Sequence, residues 1–244
     1  TNTAAMKKAF RFNQRRCNIY YAMKANSHPV ILSLLKEQGI GIDAVSPGEI
    51  EVAMNAGIAP EDILYTGNYE SEGDLQYVFH SGVKINLDND SSLDKLLKIG
   101  KPEMLSFRIN PGKGQGKYKH ITTGGDKAKF GIPIEKAVKA YEKAREAEIE
   151  RFGIHTFLGS GLLDEDHFPE VVQLLAEEAQ VIRRKVGIKF DLFDIGGGFG
   201  IKYFQEEDDL KLQQTADKVY EKFDDLISEY DLGQPRLCIE PGRY

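Results

Sequence analysis

The sequence holds only two cysteines, Cys17 and Cys238, in apolar, strand-like segments far apart along the chain. Neither a disulfide framework nor a cysteine metal site is expected from them; two buried free thiols are. No apolar run approaches the roughly 20 residues that cross a bilayer, and the opening stretch TNTAAMKKAF lacks the apolar core of a signal peptide. A soluble, cytoplasmic protein is the expectation. Basic excess is missing too: the net charge is −6 and the pI is near 5.5, which argues against nucleic acid or an anionic membrane as a partner. His28, His80, His120 and His167 show no metal-ligand spacing with each other or with cysteine, so no metal is expected. Neither the GxGxxG fingerprint nor the P-loop pattern occurs, which removes the common dinucleotide and nucleotide-phosphate signatures. There is no low-complexity tract, linker or short internal repeat.

What is present is a regular alternation. With 244 residues, of which 41% are hydrophobic, the chain can bury a large core as one α/β domain or two smaller ones. Short β-prone runs occur at 18–23, 42–45, 63–65, 83–87, 104–109, 149–155, 190–195 and 236–240. Helical spacing fills the intervals at 29–38, 47–56, 72–81, 91–99, 133–147, 166–186 and 211–230. Ser46 and Ser91 are candidate N-caps, Pro29 and Pro47 stand near first turns, and Gly39, Gly57, Gly82 and Gly100 follow helix ends. Strict alternation implies parallel strands joined by crossover helices, and eight strands imply a TIM-like (β/α)8 barrel spanning residues 1–244 as one domain. The leading segment 3–14 can supply the eighth helix. A doubly wound open sheet is the competing architecture.

In a parallel barrel, chemistry gathers at the C-terminal ends of the strands. This chain places there Lys24, the run Ser46 to Glu49, Arg108, "HTFLGSG" (155–161), "DIGGGFG" (194–200) and "EPGR" (240–243). Singly, each has a plain structural reading: a rim lysine, an arginine paired with a neighbouring carboxylate, Asp194 capping a loop, a tight glycine turn. Together they suggest a phosphate cradle beside an amine that could form an imine. Glycine-rich turns let backbone N–H groups approach a phosphate, and Gly159 to Gly161, Gly196 to Gly198 (with Gly197 at the centre) and Gly242 with Arg243 offer three such turns. Pyridoxal 5'-phosphate is the cofactor that needs a lysine, a phosphate cup and a partner for its ring nitrogen, and Glu240 is placed for the last role.

The motifs "YAMKAN" (21–26), "DAVSPGE" (43–49), "AGI" (56–58), "FRINPG" (107–112), "TTGG…KFGI" (122–132), "GIHTFLGSG", "DIGGGFG" and "EPGR" occur in one order. In that set and order the chain resembles the alanine-racemase-like, fold-type III pyridoxal phosphate enzymes, specifically the diaminopimelate, ornithine and arginine decarboxylase group. It looks closer to the diaminopimelate decarboxylases. The resemblance implies a lyase that removes CO2 from meso-diaminopimelate to leave L-lysine, in lysine biosynthesis, working as a homodimer with a shared active site. It implies that Lys24 holds the cofactor covalently, and that Asp43 and Glu49 lie near it with Arg108 beside the ring. Ser160, Gly198, Gly242 and Arg243 would contact or adjoin the phosphate, with Arg243 also a candidate for a substrate carboxylate. Glu240 would keep the ring nitrogen protonated.

Two departures stand out. The family usually carries a histidine where this chain has Phe157, with His155 two residues earlier on the same strand face, one level deeper. Phe157 can stack on a ring but cannot donate a proton, which leaves the substrate open between meso-diaminopimelate and a related diamino acid or a siderophore or antibiotic intermediate. The resemblance also implies a C-terminal β-domain after EPGR, carrying a cysteine acid and substrate-reading residues. The expectation is that this chain is the barrel portion of a longer enzyme; Cys238, inside strand eight, is no substitute for that cysteine. The lysine- and glycine-rich stretch 110–130, where only Tyr118 and Phe130 are aromatic, reads as a solvated loop over the barrel mouth rather than a polyanion site. A racemase on the same barrel and a non-catalytic cofactor-binding homologue are the alternative functions.

Overall fold

The computed structural model describes residues 1–14, 16–112 and 130–244; the motif at 122–132 therefore lies largely outside the described residues, as do Tyr118, His120 and most of the 110–130 stretch. In chain order the elements are α1 (Asn2–Ala9), β1 (Cys17–Ala22), α2 (Pro29–Glu37), β2 (Gly41–Ala44), α3 (Pro47–Asn55), β3 (Ile63–Gly67), α4 (Glu72–Ser81), β4 (Lys84–Leu87) and α5 (Ser91–Ile99). There follow β5 (Met104–Asn110), β6 (Ile132–Pro133), α6 (Ile134–Glu146), β7 (Arg151–His155), α7 (His167–Val186), β8 (Phe190–Asp194), α8 (Leu212–Glu229) and β9 (Gly233–Ile239). The strands pair in the order β4-β3-β2-β1-β9-β8-β7-β5, all parallel. A further pairing of β4 with β5, Ile85 opposite Leu105, closes the ring. That closure decides between the two architectures: an open doubly wound sheet would leave two edges, and this one has eight strands and none. β6 is a two-residue addition beside the end of β5.

Local chemistry explains the helix boundaries. Ser46 accepts the Glu49 N–H at 3.2 Å with Pro47 at the first helical position of α3. Ser71 and Asp74 cap α4 reciprocally. Ser91 is not an N-cap. It is the first residue of α5, and Asn89 Oδ1 instead accepts from Ser91 Oγ at 2.7 Å and from the Ser92 N–H at 2.9 Å, because an Asx turn two residues upstream reaches those donors first. Gly39, Gly57 and Gly82 adopt the left-handed conformation that ends a helix. Gly100 is extended, and a Cβ there would lie 2.2 Å from the tip of the Phe79 ring, so a larger residue would require that ring to shift.

The eighth helix is α1, which leads into the barrel and lies on α8. Just past its end Phe10 is fully buried, edge-on to Phe199 at 5.6 Å and near Tyr220 at 6.4 Å. The Tyr220 hydroxyl donates to the Phe10 carbonyl at 2.6 Å. Cys17 and Cys238 are buried free thiols on the paired strands β1 and β9, and burial pushes both thiols up. Among the described residues no helix is long and apolar enough to cross a membrane.

The barrel interior near the C-terminal rim is polar. Asp43 on β2, Thr66 on β3, Asn86 on β4, Ser106 on β5, His155 on β7 and Asp194 on β8 are all buried, as is Glu240 just past β9. Such a layer replaces the branched apolar side chains that usually fill a parallel barrel. Its groups must find partners or a ligand.

The packing of Phe10 generates a test of the α1 closure. Phe10→Ala should lower stability by about 3–5 kcal/mol, the usual cost of emptying a buried phenylalanine site, seen as a lower urea midpoint at unchanged slope. A loss under about 1 kcal/mol would show that α1 is not part of the packed shell.

Candidate active site

β1 delivers its lysine through a single turn of 3-10 helix, Met23–Ala25. Met23 is fully buried and anchors the turn, while the Lys24 side chain is 51% exposed. Lys24 Nζ lies 3.4 Å from Asp43 Oδ2 and 5.6 Å from the centre of the Phe157 ring. Arg108, near the end of β5, stands 5.5 Å from the same ring, 5.3 Å from the Phe130 ring, and 3.5 Å from Asp88 Oδ1. Two cations thus share one aromatic ring, an arrangement the negative face of phenylalanine favours.

Burial and charge set the acids apart. Burial pushes the Asp43 carboxyl up to about 8, with Glu240 adding to the rise and Lys24 opposing it. Burial likewise raises Asp88 to about 6 against the pull of Arg108. For Glu240 burial opposes ionisation, but His155, Lys24 and Arg108 outweigh it and hold the carboxyl below its usual range. His155, fully enclosed, is held below the usual imidazole range by burial, against the pull of Glu240.

The loops after β7, β8 and β9 are knitted together by their backbones. The Glu240 N–H donates to the Gly196 carbonyl, and the Leu162 N–H to the Gly198 carbonyl, each at 2.9 Å. These approaches need glycine: a Cβ on Gly197 would lie 2.2 Å from the Glu240 carbonyl oxygen, and one on Gly198, at φ +105°, would lie 2.9 Å from the Gly159 carbonyl. The triple glycine is therefore more than a tight turn. Gly242 packs less tightly, a Cβ there lying 3.1 Å from the Ala22 Cβ, and the Ala22 N–H donates to the Pro241 carbonyl at 3.0 Å.

Lys24, Phe157, Ser160, Gly198, Glu240 and Arg243 line one cavity of about 610 Å³, and Gly242 is also in its wall. Asp43, Arg108 and Gly197 are not in that wall. Asp43 reaches it through Lys24, Arg108 through Phe157, and Gly197 by seating the Glu240 loop. Glu49 is not in that wall either: its Oε2 accepts the Val45 N–H at 2.7 Å at the start of α3, and from there its charge adds to the rise of the Asp43 carboxyl. His155 does lie one level deeper than Phe157, 1% exposed, with Nε2 3.5 Å from Glu240 Oε2. His167 accepts no chemistry from the sequence but bonds the Leu158 carbonyl at 2.7 Å, fixing the loop that carries Phe157 and Ser160.

Several site residues escaped the motif reading. Tyr203, in the cavity wall, accepts a hydrogen bond from Arg243 Nη1. Asn86 Nδ2 reaches Thr66 Oγ1 at 3.1 Å and His155 Nδ1 at 2.9 Å. The available signal was a polar residue inside an otherwise apolar strand run, as in VKINL at 83–87. Only the closed ring makes such residues neighbours.

The sequence pattern of the family described as "Pyridoxal-dependent decarboxylase, pyridoxal binding domain" matches residues 1–244. A diaminopimelate decarboxylase of Methanothermobacter thermautotrophicus is 43% identical over 245 residues, covering 100% of this chain and 57% of that relative. A Helicobacter pylori diaminopimelate decarboxylase, solved with L-lysine, superposes with a TM-score of 0.82 at 31% identity, over 97% of this chain and 59% of that one. The M. jannaschii enzyme, also solved with L-lysine, gives 0.88 at 27% identity, over 99% and 58%. The chain thus spans somewhat over half the length of these relatives.

The knitted loops predict a steep penalty at one glycine and none at another. Gly197→Ala should cost about 1–3 kcal/mol, as overpacking against backbone does. Gly48→Ala, where the nearest atom to a Cβ is Ser46 Oγ at 3.9 Å, should be neutral or stabilising. Equal effects in a thermal melt would show that the triple glycine is not a packing requirement.

Proposed function

The chain belongs to the pyridoxal-dependent decarboxylases through their pyridoxal-binding domain, and on that premise we propose that it is the cofactor-binding barrel of an enzyme converting meso-diaminopimelate to L-lysine and CO2. The observation that carries the proposal is the pairing, in one cavity wall, of a half-exposed lysine with a buried glutamate whose Oε1 has no partner among the described residues. A pyridine nitrogen is a group that would satisfy that oxygen, and the glycine turns after β7, β8 and β9 leave room for a phosphate. Pyridoxal 5'-phosphate therefore fits the residues present. The names of the relatives favour meso-diaminopimelate among the diamino acids.

In this reading each residue has a defined task. When bound, the cofactor supplies a cationic ring that draws electrons from the bond to be broken. Lys24 attaches it covalently, and to act as a nucleophile its ammonium must first lose a proton. Asp43, 3.4 Å away, is the group placed to take that proton, and its raised carboxyl makes its ionised form a stronger base than an ordinary carboxylate. Glu240 holds a proton at the ring nitrogen. Phe157 and Arg108 pack beside the ring, Phe157 covering a face without offering a proton. Ser160 Oγ and the N–H groups around Gly198 and Gly242 hold the phosphate, and Arg243, kept in place by Tyr203, faces either the phosphate or a substrate carboxylate. A homodimer completing the site and a cytoplasmic setting belong to the same proposal; the exposed flanks of Lys24 and Arg243 support an open side that a second subunit would cover.

Borohydride reduction of the full protein with pyridoxal phosphate should place pyridoxyl mass on the peptide containing Lys24, and CO2 should be released from meso-diaminopimelate. Label on another lysine sinks the assignment, and inversion of configuration without CO2 would favour a racemase. Phe157→His should change turnover by less than the roughly 10²-fold of a positioned acid or base, whereas Phe157→Ala should cost more, chiefly in cofactor retention. A gain of two decades from the histidine would mean the native site is adapted to other chemistry.

A further inference from the structure

Beneath the cavity, His155, Asp194 and Glu240 each bring one donor atom within 4.8 Å of the others. All three are buried, Asp194 completely. Asp194 Oδ1 accepts the Gly196 N–H at 2.8 Å, but among the described residues its Oδ2 has no partner, nor does Glu240 Oε1. The Asn86 amide donates one hydrogen to Thr66 and the other to His155 Nδ1. That makes Nδ1 the acceptor, leaves the ring's hydrogen on Nε2 facing Glu240, and keeps the imidazole neutral. Among the described residues, no full cation therefore touches either carboxylate. Two carboxylates this close, out of water and without a cation between them, cannot both be ionised.

The proton belongs on Asp194. Glu240 meets the Nε2–H of His155 and feels Lys24 and Arg108 from the cavity side, and against the cost of burial the three favour its anion. Asp194 faces His155 from β7, Glu240 and Cys238 from the β9 side, Cys17 and Tyr20 from β1, and Asp43 from β2. None of these neighbours is a cation, and burial with Glu240 and Asp43 beside it drives its carboxyl well above the usual range. We propose that Asp194 is a positioning residue that holds a proton in the folded protein and thereby leaves Glu240 as the single anion beneath the cavity. Its consequence deepens the cofactor reading on which it rests: Glu240 stays free to hold a ring nitrogen because its neighbour has given up its charge.

The test uses the full protein and Asp194→Asn, an isostere that keeps an oxygen for Gly196 and is neutral by construction. The infrared difference spectrum between the two proteins at pH 7 should contain a protonated-carboxyl C=O band that the variant lacks; carboxylate bands alone would overturn the proposal. Unfolding exposes Asp194, which is ionised in the unfolded chain above about pH 4. Unfolding then releases its proton, so this group's contribution to stability is full below about pH 4 and is lost as pH rises. Asp43 contributes in the same direction in both proteins and cancels in the comparison. Asp194→Asn should accordingly melt roughly 2–4 °C above the parent at pH 8, with the gap closing towards pH 4; parallel curves would overturn the proposal. Pyridoxal phosphate affinity at pH 7 should stay within about threefold in Asp194→Asn and fall at least tenfold in Asp194→Ala, and equal losses would refute a neutral positioning role. A protein that releases no CO2 would remove the proposed function while these three readouts still decide the protonation.

Discussion

The constraint on which the rest depends is the burial of charge inside a closed ring. A parallel barrel offers its inner groups no water, so every polar side chain there must be paired, neutralised or left for a ligand. This chain uses all three routes. Lys24 sits by Asp43 and Arg108 by Asp88. Thr66, Asn86 and His155 form a hydrogen-bonded run across three strands. The unpaired remainder is concentrated: of the eight buried side-chain atoms without a partner among the described residues, six belong to Asp43, Asn86, Ser106, His155, Asp194 and Glu240. Random packing faults would scatter through the core. Their gathering around one cavity marks a site built to receive something.

The glycines answer to the same constraint from the backbone side. If Glu240 is to present its carboxyl from just past β9, its main chain must be held without any side chain intervening, and the loop after β8 provides that seat through Gly196 and Gly197. The loop after β7 is fixed in turn by Gly198 and by His167. Phe199, directly after the glycines, stacks on Phe168 with ring centres 4.0 Å apart and meets Phe10 edge-on. The rim of the site and the outer helical shell are thereby coupled through one aromatic residue. Strain in the loop would be felt in α1 and α7.

Much of this was legible in the sequence because the strands and helices alternate without interruption and their ends carry strong punctuation. Every strand of the ring and every helix of the shell falls where periodicity places it, to within a few residues. The rim residues Lys24, Phe157, Ser160, Gly198, Glu240, Gly242 and Arg243 share a cavity as the motifs imply. What failed was local. Ser91 lost its capping role to Asn89, because the Asn89 side chain reaches the Ser92 N–H from two residues upstream of the helix start. The inner polar layer was invisible for a different reason. Thr66, Asn86 and Asp194 lie on strands far apart in sequence, and only the tilt and stagger of the closed ring bring such residues level with His155.

Phe157 is best understood against that charge pattern. Two cations lie at nearly equal distance from its ring, Lys24 at 5.6 Å and Arg108 at 5.5 Å. A histidine there would be held neutral by both, since a third positive charge between them is disfavoured; its proton-donating form would be suppressed. Phenylalanine keeps the stacking face, attracts both cations through its quadrupole, and adds no titrating group beside Lys24 and Arg108, whose partners Asp43 and Asp88 already have carboxyls raised towards neutrality. One fewer equilibrium then shifts with pH beside Lys24 and Glu240. Phe157 and the neutral His155 below it act alike in this respect: both are flat rings that fill the barrel without adding charge, so that the electrostatics of the cavity are left to Lys24, Arg108 and Glu240.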